Sequence, residues 1–296
     1  MDRQYLRSGG RARMERRFGR RGFLKGAALV SAAGAVGAFP SGAAARQAAP
    51  TAERVTFQVP GLDPAHHGLR VAQLSDLHVG PRTPDHVVRA AIDEANAFSP
   101  DLVVLTGDYL SHSKRELEAM RALLGGLTAP TIAVLGNHDV WVDPRGAAAA
   151  LRGHGYEVLE NAWTSIRLRG APFQVVGVGD HLTDRDDVRR AVRGLTGGPT
   201  PLVLAHGPRT ARALERLGRP SLCLSGHTHG GQINIPIFTP LLLATVIREP
   251  YLRGRYALDG GVQLYVNRGI GMSGIRVRVN SPAEVTLATL QRAEPA

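Results

Sequence analysis

Short, largely apolar runs recur along this chain, and five of them end directly before a polar segment that carries carboxylate or imidazole side chains. The runs are residues 71–74, 102–105, 131–135, 202–205 and 221–225. Runs of this length, with β-branched side chains and glycine or proline at their bounds, are typical of buried strands. Because open α/β sheets carry their active sites at the C-terminal ends of their strands, the polar segments predict one site at a shared edge.

Helical periodicity occupies most of the segments between these runs. The clearest case is residues 84–98, whose apolar side chains repeat at helical spacing. Further helices are predicted over residues 114–124, 145–151, 184–192 and 209–217. Strands are predicted over 55–59 at a sheet edge, two or three times within 157–177, and over 262–266 and 285–290. Strands that alternate with helices and are then followed by strands alone favour two sheets packed face to face with helices outside.

Charge is distributed unevenly along the chain. Its 296 residues carry a formal net charge of +11, but nine of the 36 Lys and Arg residues and only two of the 25 Asp and Glu residues lie in the first 45 positions. A nucleic-acid-binding surface needs basic residues concentrated on the folded domain, so no nucleic-acid partner is expected. Cys223 is the only cysteine; it cannot form an intrachain disulfide, and its apolar run predicts a small buried side chain.

Residues 1–45 are predicted to be an export signal. The segment Arg20-Arg21-Gly22-Phe23-Leu24-Lys25 resembles the twin-arginine motif, although Gly19 replaces the usual Ser or Thr. An apolar stretch over 26–39 follows, too short for a stable membrane span, and Ala43-Ala44-Ala45 offers a cleavage site. The predicted organisation is therefore a signal peptide over 1–45, read by the twin-arginine translocase, and one exported domain over 46–296. A basic tail followed by a membrane anchor is the alternative.

The polar segments after the five runs contain the residue types of a metal site. In order they supply Asp76, His78, Asp108, Asn137, His138, Asp139, His206, His227 and His229. Alone, an Asp-x-His is usually a solvated loop, and a histidine such as His206 is usually a satisfied core residue. The tetrapeptides at 136–139 and 226–229 are more specific, and all five segments together predict metal binding. Ligation by His, Asp and Asn suits Mn, Fe or Zn better than Ca or Mg.

The order of these segments resembles the calcineurin-like metallophosphoesterase superfamily. That family's pattern is D-x-H, G-D, G-N-H-D or G-N-H-E, a lone His and G-H-x-H, and all five blocks occur here between Leu69 and about Gly231. The resemblance implies an α/β fold, a four-layer αββα sandwich of two mixed β-sheets flanked by helices. It also implies a phosphoesterase with two divalent metal ions, roughly 3.5–4 Å apart, which supply a nucleophile at neutral pH and stabilise developing charge.

The same resemblance assigns a role to each of the nine residues. It implies that one metal is held by Asp76, His78 and His229, that the other is held by Asn137, His206 and His227, and that Asp108 bridges the two. It further implies that His138 is the general acid for the leaving oxygen and that Asp139 orients His138. His112, four residues after Asp108, is a candidate substrate contact. Asp180 and the remaining histidines are expected to be structural, surface or loop residues.

Within the superfamily, residues 74–78, 225–232 and 267–271 look like those of bacterial twin-arginine-exported phosphoesterases of the cell envelope. That branch is also similar to UDP-diacylglucosamine hydrolases. The expected substrate is therefore a phosphate mono- or diester, of a cell-envelope or lipid-linked compound. Two alternatives remain: a broad or nucleotide-directed phosphodiesterase for phosphate scavenging, and a non-catalytic scaffold. The complete ligand set disfavours the scaffold.

The segment 233–247, which follows the last metal motif, is unusually apolar. Its two prolines exclude an uninterrupted helix or a central strand. One interpretation is a loop packed against the sandwich. The other is an exposed lip that contacts acyl chains or a membrane surface, as large exposed apolar patches tend to do.

Overall fold

The computed structural model describes residues 49–195 and 200–293. The predicted signal peptide lies outside the described residues. The strands are β1 (Thr51–Val59), β2 (Leu69–Leu74), β3 (Leu102–Leu105), β4 (Thr131–Ala133), β5 (Glu157–Val158), β6 (Ala162–Leu168), β7 (Ala171–Val178), β8 (Leu202–Ala205), β9 (Ser221–Ser225), β10 (Gly254–Leu258), β11 (Val262–Val266) and β12 (Glu284–Arg292). The helices are α1 (Asp85–Ala97), α2 (Glu116–Leu124), α3 (Asn137–Val142), α4 (Pro144–Arg152), α5 (Val188–Ala191), α6 (Thr210–Arg216) and α7 (Phe238–Leu242), which continues as a π-helical turn over Leu243–Ile247.

The strands form two six-stranded mixed sheets. The first has the order β1-β12-β2-β3-β4-β5, and the second has the order β10-β11-β9-β8-β7-β6. In the first sheet β2 to β5 are parallel and β12 runs against β2; in the second, β7, β8, β9 and β11 are parallel and β6 and β10 run against their neighbours. The fold class expected from the family resemblance is confirmed.

Alternating side chains divide the core into three layers. On β3, Leu102 and Val104 face a cluster shared with Leu204 and Leu224 of the second sheet. The intervening residues of β3 face a second cluster with α1, α2 and α4, and a third cluster packs the outer face of the second sheet against α5 and α6. Both sheets are therefore buried on both faces, as parallel sheets require.

The parallel strands bring the motif segments to one edge of the sandwich. Segments after β2, β3 and β4 leave the first sheet, while those after β8 and β9 leave the second. Since parallel strands end on the same side, these loops converge across the two sheets. Cys223 lies in the interior of β9 and is fully buried, as expected, and burial raises the pKa of its thiol to about 12.

Four elements differ from the sequence prediction: α5 is shorter than expected, and α3, α7 and β10 were not predicted. The helix expected over 184–192 forms only as α5, because Asp184 adopts a left-handed conformation (φ +56°) that ends the preceding 3-10 turn. Helix α3 was not expected, since its six residues begin inside a motif and are too few to show helical periodicity. The strand predicted over 55–59 is part of β1, at the edge of the first sheet.

Two histidines expected at the surface or in loops are more enclosed than predicted. His66 is 1% exposed, and its Nε2 lies 3.1 Å from the Leu168 carbonyl oxygen. His181 lies against His227, with their ring centroids 6.3 Å apart.

Among the described helices, none combines the length and the apolar character that a bilayer crossing requires.

Candidate metal centre

Six of the seven residues predicted to bind metal meet in two adjoining groups, and the seventh, Asn137, precedes His138, whose backbone N–H donates to Asp108. In the first, His229 Nε2 lies 3.2 Å from His78 Nε2 and 3.4 Å from Asp76 Oδ1. In the second, His206 Nε2 lies 3.2 Å from both His227 Nδ1 and Asp108 Oδ2. Such gatherings of nitrogen and carboxylate oxygen atoms match the donor sets of transition-metal sites.

Asp108 lies between the two groups. Its Oδ2 faces His206 Nε2 at 3.2 Å and His78 Nε2 at 3.6 Å, while its Oδ1 accepts a hydrogen bond from the His138 backbone N–H at 2.8 Å. Burial disfavours the charged carboxylate, but the surrounding histidines, His206 foremost, hold the pKa of Asp108 well below its usual range. One carboxylate oxygen is thus available to both groups, which is the position that a bridging ligand requires.

The ring orientation of two histidines turns Nε2 toward the centre. His78 Nδ1 lies 3.1 Å from the Leu110 carbonyl, and His206 Nδ1 lies 2.8 Å from the Thr106 carbonyl. Because a carbonyl only accepts, each Nδ1 carries a proton and each Nε2 faces the centre. Burial opposes the charge of His206, but Asp108 holds the pKa of His206 well above its usual value, so a metal bound there would displace a proton from Nε2. Burial lowers the pKa of His78 and of His229 to about 3, which favours the neutral form that binds metal.

Asn137 gives the clearest test of whether a metal fits. Its side chain is 1% exposed, yet neither Oδ1 nor Nδ2 has a hydrogen-bond partner among the described residues. A buried amide without partners is costly, and a cation bound to its oxygen would offset that cost. The residues present therefore fit two divalent metals: Asp76, His78 and His229 for one, Asn137, His206 and His227 for the other, and Asp108 for both.

The backbone turns sharply at most of these ligands. Five of the seven have positive φ: Asp76 (52°), His78 (43°), Asp108 (56°), His227 (72°) and His229 (52°). The segments also approach each other closely, since a Cβ on Gly226 would lie 2.2 Å from Asp76 Oδ2, and one on Gly136 would lie 2.2 Å from Asp108 Oδ1. These two motif glycines are needed because any side chain there would displace a ligand.

His138 lies beside the centre at the start of α3. Its ring is edge-on to that of His78, with centroids 4.8 Å apart, and its side chain is 5% exposed. Nδ1 donates to the Ser111 carbonyl at 2.7 Å, which leaves Nε2 as the other proton-carrying position. Trp141 and His112 flank the ring, with centroids 5.3 and 5.7 Å away, so the candidate substrate contact His112 does lie next to the site.

Asp139 occupies a different position from the one that the family resemblance implied. Its carboxylate accepts four backbone N–H groups, from Asp108 (2.8 Å), Tyr109 (2.9 Å), Leu110 (3.0 Å) and Gly136 (2.9 Å). Burial and the charge of Asp108 raise the pKa of Asp139 to about 7, while the N–H donors act in the opposite direction. The predicted contact with the His138 imidazole is corrected: Asp139 orients the loop that carries Asp108, and the Ser111 carbonyl orients the imidazole.

Two further residues near the site were not identified from the sequence. Arg278 is largely enclosed, donates to the carbonyls of Arg268 (2.9 Å) and Gly269 (3.0 Å), and lies 3.3 Å from His229 Nδ1. Nothing in its local sequence distinguishes it from other arginines. Glu116 accepts hydrogen bonds from the loop that holds His138, and the Ser-x-x-Glu spacing of residues 113–116, a capping-box signature, is a signal that could have identified it.

Comparisons with known proteins agree with this geometry. Residues 69–231 match the family model described as calcineurin-like phosphoesterase. The chain is 30% identical over 289 residues to the Bacillus subtilis uncharacterized metallophosphoesterase YkuE, a match that covers 93% of this chain and 99% of the relative.

Two other relatives carry more specific names. The Danio rerio transmembrane protein with metallophosphoesterase domain is 31% identical over 254 residues; the match covers 81% of this chain, but the chain spans only 57% of that relative's length. The UDP-2,3-diacylglucosamine pyrophosphatase LpxG of Chlamydia trachomatis is 29% identical over 290 residues, covering 79% of this chain and 87% of LpxG.

Proposed function

This chain belongs to the calcineurin-like phosphoesterase family, and from that premise we propose that it is an exported hydrolase of phosphate mono- or diesters with a lipid-linked, cell-envelope substrate. The observation that carries the catalytic part is the gathering of six predicted ligands in two adjoining groups, with buried Asn137 and His138 beside them. A non-catalytic scaffold would not need Asn137 to be buried without partners, nor His138 to be held by a specific carbonyl.

The roles of the chain's own residues follow from their positions. Two bound divalent metals would supply Lewis-acid activation of the nucleophile and a counter-charge for the phosphoryl oxygens. His138, fixed through Nδ1, presents Nε2 to the reacting region and donates a proton to the leaving oxygen. Asp139 holds the loop after β3 and the N-terminus of α3 in one arrangement, so that Asp108 and His138 keep their spacing.

The lipid-linked part of the proposal is supported by an exposed apolar surface, here called the apolar lip. Seven of the ten large apolar side chains recorded as exposed among the described residues belong to it: Ile235, Ile237, Phe238, Leu241, Val246, Ile275 and Val277. Ile237 is 84% exposed and has φ +68°, a strained conformation for a β-branched residue. The packed-loop interpretation of segment 233–247 therefore does not account for its exposed side chains.

The apolar lip adjoins the metal centre. The lip has two segments, residues 235–246 and residues 275–277. They are joined by a bridge between Ile233 and Val279 and by Gln232, whose Nε2 donates to the carbonyls of Ser273 and Ile275 at 3.0 Å each. Gln232 lies three residues after the ligand His229, so the lip begins beside the first metal group. A substrate that rests its acyl chains on the lip could place its phosphate at the metals.

Charge supports the same choice of partner. Arg248 and Arg276 are exposed within and next to the lip, and basic residues beside apolar side chains suit an anionic lipid surface. The similarity to LpxG, whose name states a diacylated sugar nucleotide as substrate, points to the same class of compound.

The test is a comparison of substrates with the purified exported domain loaded with Mn, Fe or Zn. We expect hydrolysis of bis-p-nitrophenyl phosphate or p-nitrophenyl phosphate, and faster hydrolysis of an acylated phosphate or pyrophosphate ester than of its deacylated form. A preference for soluble nucleotide diesters would support the scavenging alternative instead. No hydrolysis of any ester by metal-loaded protein would overturn the enzymatic assignment.

A further inference from the structure

Glu116, the first residue of α2, is a buried carboxylate outside the metal centre. It is 7% exposed, and its Oε2 accepts hydrogen bonds from three consecutive backbone N–H groups: Ser111 (2.7 Å), His112 (3.0 Å) and Ser113 (3.3 Å). Carboxylates are seldom buried without a structural or functional reason, because desolvation of the charge is costly. The three donors satisfy the charge and fix the loop over 111–113.

That loop holds the His138 imidazole. The Ser111 carbonyl accepts the hydrogen bond from His138 Nδ1 at 2.7 Å, and Ser111 itself is 4% exposed. Glu116 thus binds the N–H of the residue whose carbonyl fixes the proposed proton donor. A peptide unit that shifted without Glu116 would turn the imidazole and move Nε2 away from the reacting region.

A second carboxylate holds the preceding part of the same loop. Asp139 accepts from the N–H groups of residues 108–110, and Glu116 accepts from those of residues 111–113. Six consecutive backbone N–H groups are therefore bound by two buried side chains. The bridging ligand Asp108 lies at one end of this segment, and the support of His138 lies within the other half.

Helix capping alone does not explain Glu116. The Ser-x-x-Glu spacing accounts for the bond from the Ser113 N–H, but Ser113 Oγ accepts from the Arg115 N–H at 3.2 Å and not from that of Glu116, so the reciprocal half of a capping box is missing. The shorter bonds from Ser111 and His112 lie outside that motif. Gly80 also leaves room for the Glu116 side chain, because a Cβ on Gly80 would lie 3.1 Å from Glu116 Cγ.

We propose that Glu116 is a positioning residue for His138: through the Ser111 peptide it holds the imidazole in the orientation that serves leaving-group protonation. This role rests on the proposed function, since it takes His138 to be the proton donor. It adds that the orientation of His138 depends on a carboxylate that contacts neither metal nor substrate.

The experiment exploits the chemistry of the leaving group. A general acid accelerates loss of a poor leaving group, such as phenolate, more than loss of p-nitrophenolate. The rates of hydrolysis of the phenyl and p-nitrophenyl phosphate esters are therefore compared at equal metal content. For Glu116→Ala we expect kcat on the phenyl ester to fall about 10–100-fold, with a smaller loss on the p-nitrophenyl ester and unchanged metal content. Glu116→Gln keeps an acceptor oxygen and should lose about 3–10-fold with the same bias. Glu118→Gln, an exposed glutamate on the same helix, is the matched control.

The His138→Ala background separates positioning from a general structural role. If Glu116 acts through His138, replacing Glu116 in that background causes no further loss. Equal losses on both esters, or losses that persist in the His138→Ala background, would overturn the proposal. Should Glu116→Ala fail to fold, the same criteria apply to Glu116→Gln. A metal-loaded wild-type protein that hydrolyses neither these esters nor an acylated phosphate ester would overturn the proposed function itself, and the role of Glu116 with it.

Discussion

At the scale of single residues, the two metal groups depend on one side chain. Asp108 Oδ2 is the atom that faces both His78 and His206. We expect Asp108→Asn to lower the content of both metals and abolish turnover, because the amide that replaces the carboxylate is a weaker, neutral ligand. Elemental analysis of the purified protein measures the metals. Asp93→Asn, an exposed site on α1, should keep wild-type content; unchanged metal in Asp108→Asn would refute the bridging assignment.

His138 is expected to behave in the opposite way. His138→Ala should retain both metals and lose about 10²–10⁴-fold in kcat, the usual contribution of a general acid. Its ring contacts His78 from the side, and its Nδ1 bond goes to the protein backbone. Metal analysis combined with steady-state kinetics distinguishes the roles. Loss of metal in this variant would indicate that His138 is a ligand, and a wild-type rate would show that His138 takes no part in the reaction.

The ligand set could be predicted only from the five segments together, because their order and spacing identify a donor set that no single residue does. The partners of Asp139 could not, because they depend on where three backbone N–H groups of another loop come to lie. The same limit applies to Glu116, for which the sequence indicates a helix cap but not its contact with Ser111.

At the scale of elements, the apolar lip is the feature whose role is easiest to isolate. Replacing Ile237 and Leu241, which are 84% and 59% exposed, by serine should weaken binding to anionic liposomes and slow hydrolysis of acylated substrate. Exposed side chains contribute little to packing, so the rate on p-nitrophenyl esters should remain. Liposome flotation and parallel assays measure both. Leu182→Ser, exposed outside the lip, is the control, and equal losses on all substrates would indicate a packing role.

The connection between the lip and β10 contains a carboxyl that should influence stability. Glu249 is 4% exposed, and burial raises its pKa from 4.5 to about 7. The folded state therefore binds this proton more tightly than the unfolded state does. The stability that it contributes is complete below pH 4.5 and is lost as the pH rises through 7.

Glu249→Gln should remove this dependence. Relative to wild type, the free energy of unfolding of the variant should rise by up to about 3 kcal/mol between pH 4.5 and pH 8, at 1.36 kcal/mol per pKa unit. Denaturant unfolding of both proteins across that range measures the difference. Glu157→Gln, at an exposed position, should follow wild type; parallel curves for Glu249→Gln would contradict the argument.

Elements with strong periodicity were predicted within a few residues. Helix α1 occupies Asp85–Ala97 where 84–98 was expected, because five buried apolar residues recur along one face. Short elements fixed by tertiary contacts were not predictable. Helix α7 contains Pro240, which is tolerated in its first turn because the N–H groups there have no partner within the helix.

At the scale of the whole molecule, export remains a prediction from the sequence. Replacing Arg20 and Arg21 by lysine should leave precursor in the cytoplasm, because the twin-arginine motif is read by a receptor and charge alone does not suffice. Fractionation followed by immunoblotting measures the distribution. Normal export of the Lys-Lys variant would refute the twin-arginine route and favour the general secretory route.

The pairing of two sheets could be predicted only in outline. The sequence indicates strands, helices and their order, but the assembly of the site depends on strands far apart in the chain. Asp76 follows β2, and His227, whose N–H donates to Asp76 Oδ2 at 3.0 Å, follows β9 in the other sheet. The register that brings them together comes from side-chain packing between the sheets, which local pattern does not specify.

The left-handed backbone at five of the seven ligands has a consequence for how this protein can change over generations. Few side chains accept that conformation, and aspartate, asparagine and histidine are among the few. A glutamate at position 76 would still offer a carboxylate, but its backbone would resist the turn. Two independent filters, one of coordination and one of conformation, thus admit nearly the same three residue types. Few residue types are therefore tolerated at these positions, even without selection for catalysis. A descendant protein that no longer binds metals would still lose these motif residues slowly.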